Sequence, residues 1–185
     1  MLLLSEKRHR LSIDIDVICP PGTEIEQYLK DYQRFGFLDI ETVERVQRGT
    51  NIPKSHSKFF YKIAFRDNDS RPGNILLDVL YEDNHYNQVI QVPIKSPFIE
   101  LDDKPMFVAI PSVNDILGDK LTAFAPNTSG IPYRKGANDC NLEIIKQLYD
   151  IGCLFDSMND LLTVAKAYEK IARVELSYRK MEENP

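Results

Sequence analysis

From Leu11 to Ile18 apolar and polar residues alternate. Leu11, Ile13, Ile15 and Val17 fall on one side, and Ser12, Asp14, Asp16 and Ile18 on the other. That is the period of a strand with a carboxylate-bearing face. Pro20, Pro21 and Gly22 stop the strand, and Thr23 with Glu26 three residues on predicts a capping box opening a helix to about Phe35. Upstream, Met1 to Arg10 passes from three leucines into a charged run and reads as the last turns of a helix. Extended segments are expected at Glu41–Arg48, Lys58–Arg66, Asn74–Glu82 and Gln88–Ile94, separated by turn-rich stretches such as Arg66–Gly73 and Glu82–Asn87. After a break at Asp102–Pro105, Met106–Ile110 reads as one more strand. Ser112, with Asp115 at its third position, then caps a helix from Val113 to about Ala125. Pro126–Asp139 is polar, with Gly130, Pro132 and Gly136, and reads as a mobile loop. Two helices finish the chain, at about Leu142–Phe155 and Asn159–Lys180. In the second, Leu161, Val164, Ala165, Tyr168, Ile171, Ala172 and Leu176 form an apolar stripe. The expected organisation is a sheet core over 1–110 with a helical part over 111–185 packed on it as one compact unit.

Composition narrows the function classes. The 185 residues are 43% hydrophobic and 28% charged, with 8 Gly and 11 Pro, which excludes collagen-like and wholly disordered chains. A net charge of -5 leaves no global positive field for nucleic acid or anionic membranes, so any contact with a polyanion is local. The short basic stretches Lys7–Arg10 and Arg134–Lys135 are at best docking points. Cys19, Cys140 and Cys153 are too few and scattered for a disulfide framework, which fits a reducing cytoplasm. Met-Leu-Leu-Leu is too short for a signal sequence, and no later stretch has the length of a membrane span. His9, His56 and His85 have no ligand spacing and read as surface histidines. Gly-rich phosphate loops and the Gly-x-Ser-x-Gly elbow are absent, and no Glu-x-Lys or Asp-x-Lys of the restriction-nuclease type follows Asp78 before Pro97.

Three places carry candidate chemistry. Asp14 and Asp16, two apart on a strand, project from one face roughly 6–7 Å apart and can reach one cation or a close pair. A solvated strand face is the plain alternative. Asp78 sits in the otherwise apolar run Ile75–Tyr81, so it is expected to be enclosed and to need a partner, either a basic side chain or a metal ion. Three sheet carboxylates without His or Cys would be hard ligands for Mg²⁺ or Mn²⁺, which points to phosphate chemistry. Lys120 lies within the apolar stripe of Val113, Ile116, Leu117, Leu121 and Phe124, where a lysine either snorkels or points its ammonium at a phosphate. Asp150 falls four residues after Lys146 on the polar side of its helix, where a surface salt bridge accounts for it.

These pieces, taken in order, resemble a known family. Arg10-Leu11-Ser12-Ile13-Asp14-Ile15-Asp16-Val17 is similar to the Arg-x-Ser-x-Asp-x-Asp signature of the AbiEii/AbiGii toxin nucleotidyltransferases. Ile110-Pro111-Ser112-Val113 through Asp119-Lys120-Leu121-Thr122-Ala123-Phe124 resembles that family's Pro-Ser…Lys-Leu-x-Ala-Leu helix. Lys146-Gln147-Leu148-Tyr149-Asp150-Ile151 resembles its Arg-Asp-Leu-Tyr-Asp-Leu element, with Lys for Arg and Gln for the first Asp. The resemblance implies an α+β nucleotidyltransferase fold, a small mixed sheet flanked by helices with a helical C-terminal part. It implies transfer of a nucleotidyl group from an NTP to an RNA acceptor such as the 3′ end of tRNA, by a cytoplasmic toxin of an abortive-infection toxin-antitoxin pair, with an antitoxin protein as partner. By position, Asp14 and Asp16 would hold Mg²⁺ or Mn²⁺, Asp78 would complete the metal site and help activate the acceptor, and Asp150 would be a further acid/base. Lys120, Ser12 and Arg10 would bind the nucleotide. The Gly-Gly-Thr or Gly-Ser turn that the family places before the Asp-x-Asp strand is missing from the sequence, which predicts weaker nucleotide binding. A binding module that keeps the fold and acts in a protein complex is the alternative.

Overall fold

The computed structural model describes residues 14–44, 54–62, 72–95, 104–126 and 128–181. The turns expected at 1–10 and the residues Arg10 and Ser12 lie outside the described residues. The chain is mixed α+β and divides into two compact units, one over 11–84 and the other built on 85–185.

The first unit is a four-stranded mixed sheet: β1 (Asp14–Cys19), β2 (Phe37–Glu44), β3 (Lys54–Tyr61) and β4 (Gly73–Tyr81), in the order β1-β4-β3-β2. β1 runs parallel to β4, and the other pairs are antiparallel. The strand read at Lys58 begins four residues earlier, at Lys54, and that read at Glu41 begins at Phe37. In Lys54–Tyr61 the inward positions start with Ser55 and Ser57, which carry no apolar signal. Both are nonetheless buried, and their hydroxyls bond to Tyr81 and Thr42. Val79 and Phe59 share that buried face, and the Phe59 ring lies 5.2 Å from that of Phe37.

The single helix expected from Thr23 to Phe35 is broken. It appears as α1 (Glu26–Leu29) followed by a 3₁₀ turn over Tyr32–Phe35. Thr23 donates its hydroxyl back to Pro20 O instead of capping, and the residue at the N-cap is Ile25, which has no side-chain bond to offer. Gly36, at φ 84°, ends the segment in the left-handed region that favours glycine.

The second unit begins with the hairpin β5 (Val89–Pro93) and β6 (Phe107–Pro111) and continues into α2 (Val113–Ala123), α3 (Asn141–Phe155) and α4 (Leu161–Tyr178). Ser112 caps α2 as expected, its side chain accepting from Asp115 N. Asp115 is itself fully buried and accepts from Ser112 Oγ, Asn87 N, Asn87 Nδ2 and Gln88 N, which ties the entry of β5 to the start of α2. A buried carboxylate so fully bonded is a structural anchor. Leu117, Leu154 and Val164 form the core, with Val113, Ile116, Leu121, Ile151 and Met158 packed on it. Along α4 the buried line is Val164, Ala167 and Ile171, whereas Leu161 and Tyr168, read as part of the stripe, are exposed. Gly118 of α2 packs against α4 at Ala167, Val164 and Tyr168, leaving no room for a Cβ. The expected loop over Pro126–Asp139 contains a short ribbon, β7 (Arg134–Lys135) paired with β8 (Asn138–Asp139) around Gly136 at φ 64°. Ser129 and Gly130, near its start, are buried. Among the described residues no helix is long and apolar enough to cross a membrane.

Candidate functional site

In the first unit the candidate carboxylates share one sheet face. The parallel register pairs Asp16 with Asp78 and Asp14 with Leu76, and paired residues project to the same side. Asp14 and Asp16 are exposed there. β3 continues the row, because His56 is the partner of Asp78 on its other side and Lys54 and Lys58 flank it at strand spacing. This face holds both charge signs, and the opposite face holds the buried Ser55, Ser57, Phe59 and Val79.

Asp78 is part-buried, and the partner that its apolar strand demands comes from β3. Lys54 Nζ lies 2.6 Å from its Oδ2, and His56 Nδ1 bonds to its Oδ1. Burial pushes the Asp78 carboxyl up, but the hydrogen bonds from Lys54 and His56, and then their charge, outweigh it and hold the group below the usual carboxylate range. His56, read as a surface histidine, is thus drawn into the row with its side chain only 13% exposed. The alternation Lys54-x-His56-x-Lys58 was the signal that could have placed it there.

Among the described residues no group of three His, Cys, Asp or Glu side chains is arranged to hold a metal ion. The donor chemistry of Asp14 and Asp16, paired carboxylates on one strand face, suits a hard divalent cation. Asp78 already uses one acceptor site on each oxygen for β3, to Lys54 and to His56.

In the second unit the structure brings together Lys120 and Asp150, thirty positions apart in sequence. Lys120 Nζ stands 3.6 Å from Asp150 Oδ2. Asp150 is 1% exposed, which corrects its reading as a surface partner of Lys146. On α3, Leu142, Ile145 and Leu148 are exposed, while Asp150 and Leu154, four apart, face inward and Ile151 packs on the core. Lys120 is neither buried nor free, since α2 buries Leu117 and Gly118 on one side of it and leaves the lysine part-exposed. A part-exposed lysine whose ammonium is held by a buried carboxylate is a positioned cation of the kind that suits an anion. One turn before Asp150, Gln147 Oε1 is buried without a hydrogen-bond partner among the described residues.

A comparison with curated proteins finds no match. A comparison with protein families matches residues 1–184 to the one described as nucleotidyl transferase AbiEii toxin, type IV toxin-antitoxin system. With that match spanning nearly the whole sequence, and a mixed sheet and helices of the expected class beneath it, the chain belongs to the AbiEii family of nucleotidyltransferase toxins.

Proposed function

We propose that this chain is a Mg²⁺-dependent enzyme (Mn²⁺ serving equally) that transfers a nucleotidyl group from an NTP to a hydroxyl of an RNA acceptor such as the 3′ end of tRNA, in the cytoplasm and under the control of an antitoxin. What supports this reading most is the sheet face common to Asp14, Asp16 and Asp78. Asp16 stands directly across from Asp78 in the parallel register, and Asp14 lies two residues along on the same side.

Asp14 and Asp16 would hold the divalent ion, with Asp78 completing its ligands. When bound, the ion supplies the positive charge that polarises phosphoryl oxygens and lowers the barrier to displacement at phosphorus. The acceptor oxygen forms its bond to the α-phosphorus as the bond to pyrophosphate breaks, and the acceptor proton passes to a carboxylate. Asp78 and Asp150 are the candidates for that proton. Lys120, steadied by Asp150, would offset charge on the triphosphate, and Ser12 and Arg10, just before Asp14 in sequence, would contact the nucleotide.

The test is binding of Mg²⁺ and NTP by calorimetry, followed by transfer of labelled NTP to total tRNA. Label should reach RNA with the natural chain and be lost in Asp14→Asn, Asp16→Asn and Lys120→Met. Failure to bind or label, together with Asn variants that behave as the natural chain, refutes the enzymatic reading and leaves the fold as a binding module.

A further inference from the structure

The segment between α2 and α3 presents three neighbouring side chains that the described structure does not engage. Tyr133, Arg134 and Lys135 are exposed, and among the described residues none of them makes an ion pair or a side-chain hydrogen bond. Lys135 pairs with Asn138 around the two-residue turn Gly136-Ala137, whose first position, at φ 64°, is the place a tight hairpin gives to glycine. Cys140 N donates to Tyr133 O, which carries the pairing one position beyond Arg134 and Asp139. Tyr133, Lys135 and Asn138 therefore stand on one side of the ribbon, and Arg134 with Asp139 on the other. The base of the ribbon is tied down. Gly130 N and Ile131 N donate to Ala125 O and Ala123 O at the end of α2, Ser129 Oγ donates to Thr122 O, and Asp139 Oδ1 accepts from Asn141 N at the start of α3. A hairpin held in this way loses little conformational freedom on binding.

We propose that the β7–β8 ribbon is a docking surface for single-stranded RNA, with a base stacked on Tyr133 and the neighbouring backbone phosphate on Lys135. Two unpaired cations in a chain of net charge -5 make a local attraction for a polyanion, and the exposed ring beside them chooses among polyanions. Unstacked bases offer π-faces to that ring and edges to the Asn138 amide, which the bases of a duplex do not. An acidic protein surface would use the cations alone. This role rests on the reading of RNA as the acceptor, and the ribbon joins the two helices that carry Lys120 and Asp150.

The test is the anisotropy of a fluorescein-labelled single-stranded oligoribonucleotide of mixed sequence, titrated with the full chain in EDTA and without NTP over a range of salt concentrations. Binding is then read apart from metal and turnover. Tyr133→Ala should weaken it on the order of tenfold, and Tyr133→Phe, which keeps the ring, by less than about twofold. Lys135→Met should weaken it and lower the slope of log affinity against log salt by about 0.7, the share of one phosphate contact on a single strand. Arg134→Met removes the same charge from the other side of the ribbon and should leave the slope within about 0.3 of the natural chain's. All these positions are exposed, so each variant should keep the far-ultraviolet circular dichroism of the natural chain. Equal losses in Arg134→Met and Lys135→Met would reduce the effect to a general field and overturn the role. Affinity unchanged in Tyr133→Ala and Lys135→Met, or no binding by the natural chain, overturns it as well. Polyglutamate that displaces the RNA at equal charge would make the ribbon a site for acidic protein, and the RNA assignment would fall. Binding lost in these variants of a chain that labels no tRNA upholds the ribbon and refutes the enzymatic reading. Labelling of tRNA with an unchanged KM for RNA in Tyr133→Ala does the reverse.

Discussion

Two helical glycines of this protein should answer the same substitution with opposite signs. A Cβ at Gly118 would stand 2.7 Å from Ala167 Cβ, 2.7 Å from Val164 O and 2.8 Å from Tyr168 N, whereas a Cβ at Gly152 meets nothing within 4 Å. Alanine in place of glycine inside a helix contributes about 1 kcal/mol of stability where there is room. At Gly118 that gain is opposed by overpacking, which costs about 1–3 kcal/mol in a well-filled interior. Two of the three obstructing atoms are backbone of α4 and cannot rotate aside, so the upper end of that range applies. Gly118→Ala should therefore lose about 2 kcal/mol net, and Gly152→Ala should gain about 0.5–1 kcal/mol. Urea unfolding followed by far-ultraviolet circular dichroism reads both, as a lower midpoint for the first and a higher one for the second at unchanged slope. The double change Gly118→Ala with Ala167→Gly should recover only part of the loss, because the contacts to Val164 O and Tyr168 N persist. A Gly118→Ala protein as stable as Gly152→Ala would mean that α2 and α4 do not cross at contact distance.

Two further outcomes follow from single side chains. Lys120→Met leaves the buried Asp150 carboxylate without its 3.6 Å partner, and should lower stability by about 1–3 kcal/mol in the same urea assay, with Asp150→Asn in the Met background restoring part of it. Asp160, the N-cap of α4, is held below its ordinary value of 3.8 by hydrogen bonds from Thr163 first and Leu162 after it. A carboxyl lowered in the folded state adds stability above its unfolded value and loses it as pH falls through the lower folded value. The melting temperature of the natural chain should therefore exceed that of Asp160→Ala at neutral pH, with the margin shrinking only below about pH 4. A margin that is constant down to strong acid would show that the charge of the cap is idle.

Legibility in the sequence tracked the clarity of the period. β1 and α2 were plain because an Asp-x-Asp alternation and a Ser cap each have one local cause, and Ser112 performs as the sequence implies. β3 was read four residues late because its inward positions open with serines, whose burial depends on hydroxyl partners in β2 and β4. The helix at Thr23 failed because a competing bond to Pro20 O captured the capping hydroxyl. α3 was read at nearly its own bounds, but Asp150, placed on its polar side, lies inward beside Ile151 and Leu154 while Leu142, Ile145 and Leu148 lie outward. Periodicity assumes that apolar residues face the core. It has no means of marking a carboxylate that is buried because a lysine from another helix meets it. The partner of Asp78 was foreseeable as a basic group, but not as Lys54 with His56, because strand register is a property of the folded sheet.

β1 closes one end of the sheet order, with β4 on one side and no strand on the other among the described residues. An open strand edge invites a second chain to add on, and charge is one of the devices by which proteins discourage such growth. Asp14 and Asp16 put two negative charges on that edge beside Ile15, which is 51% exposed. The carboxylates proposed above for chemistry would then also discourage self-association. Preparations of Asp14→Asn or Asp16→Asn should be checked for particle size by light scattering before lost turnover is assigned to chemistry.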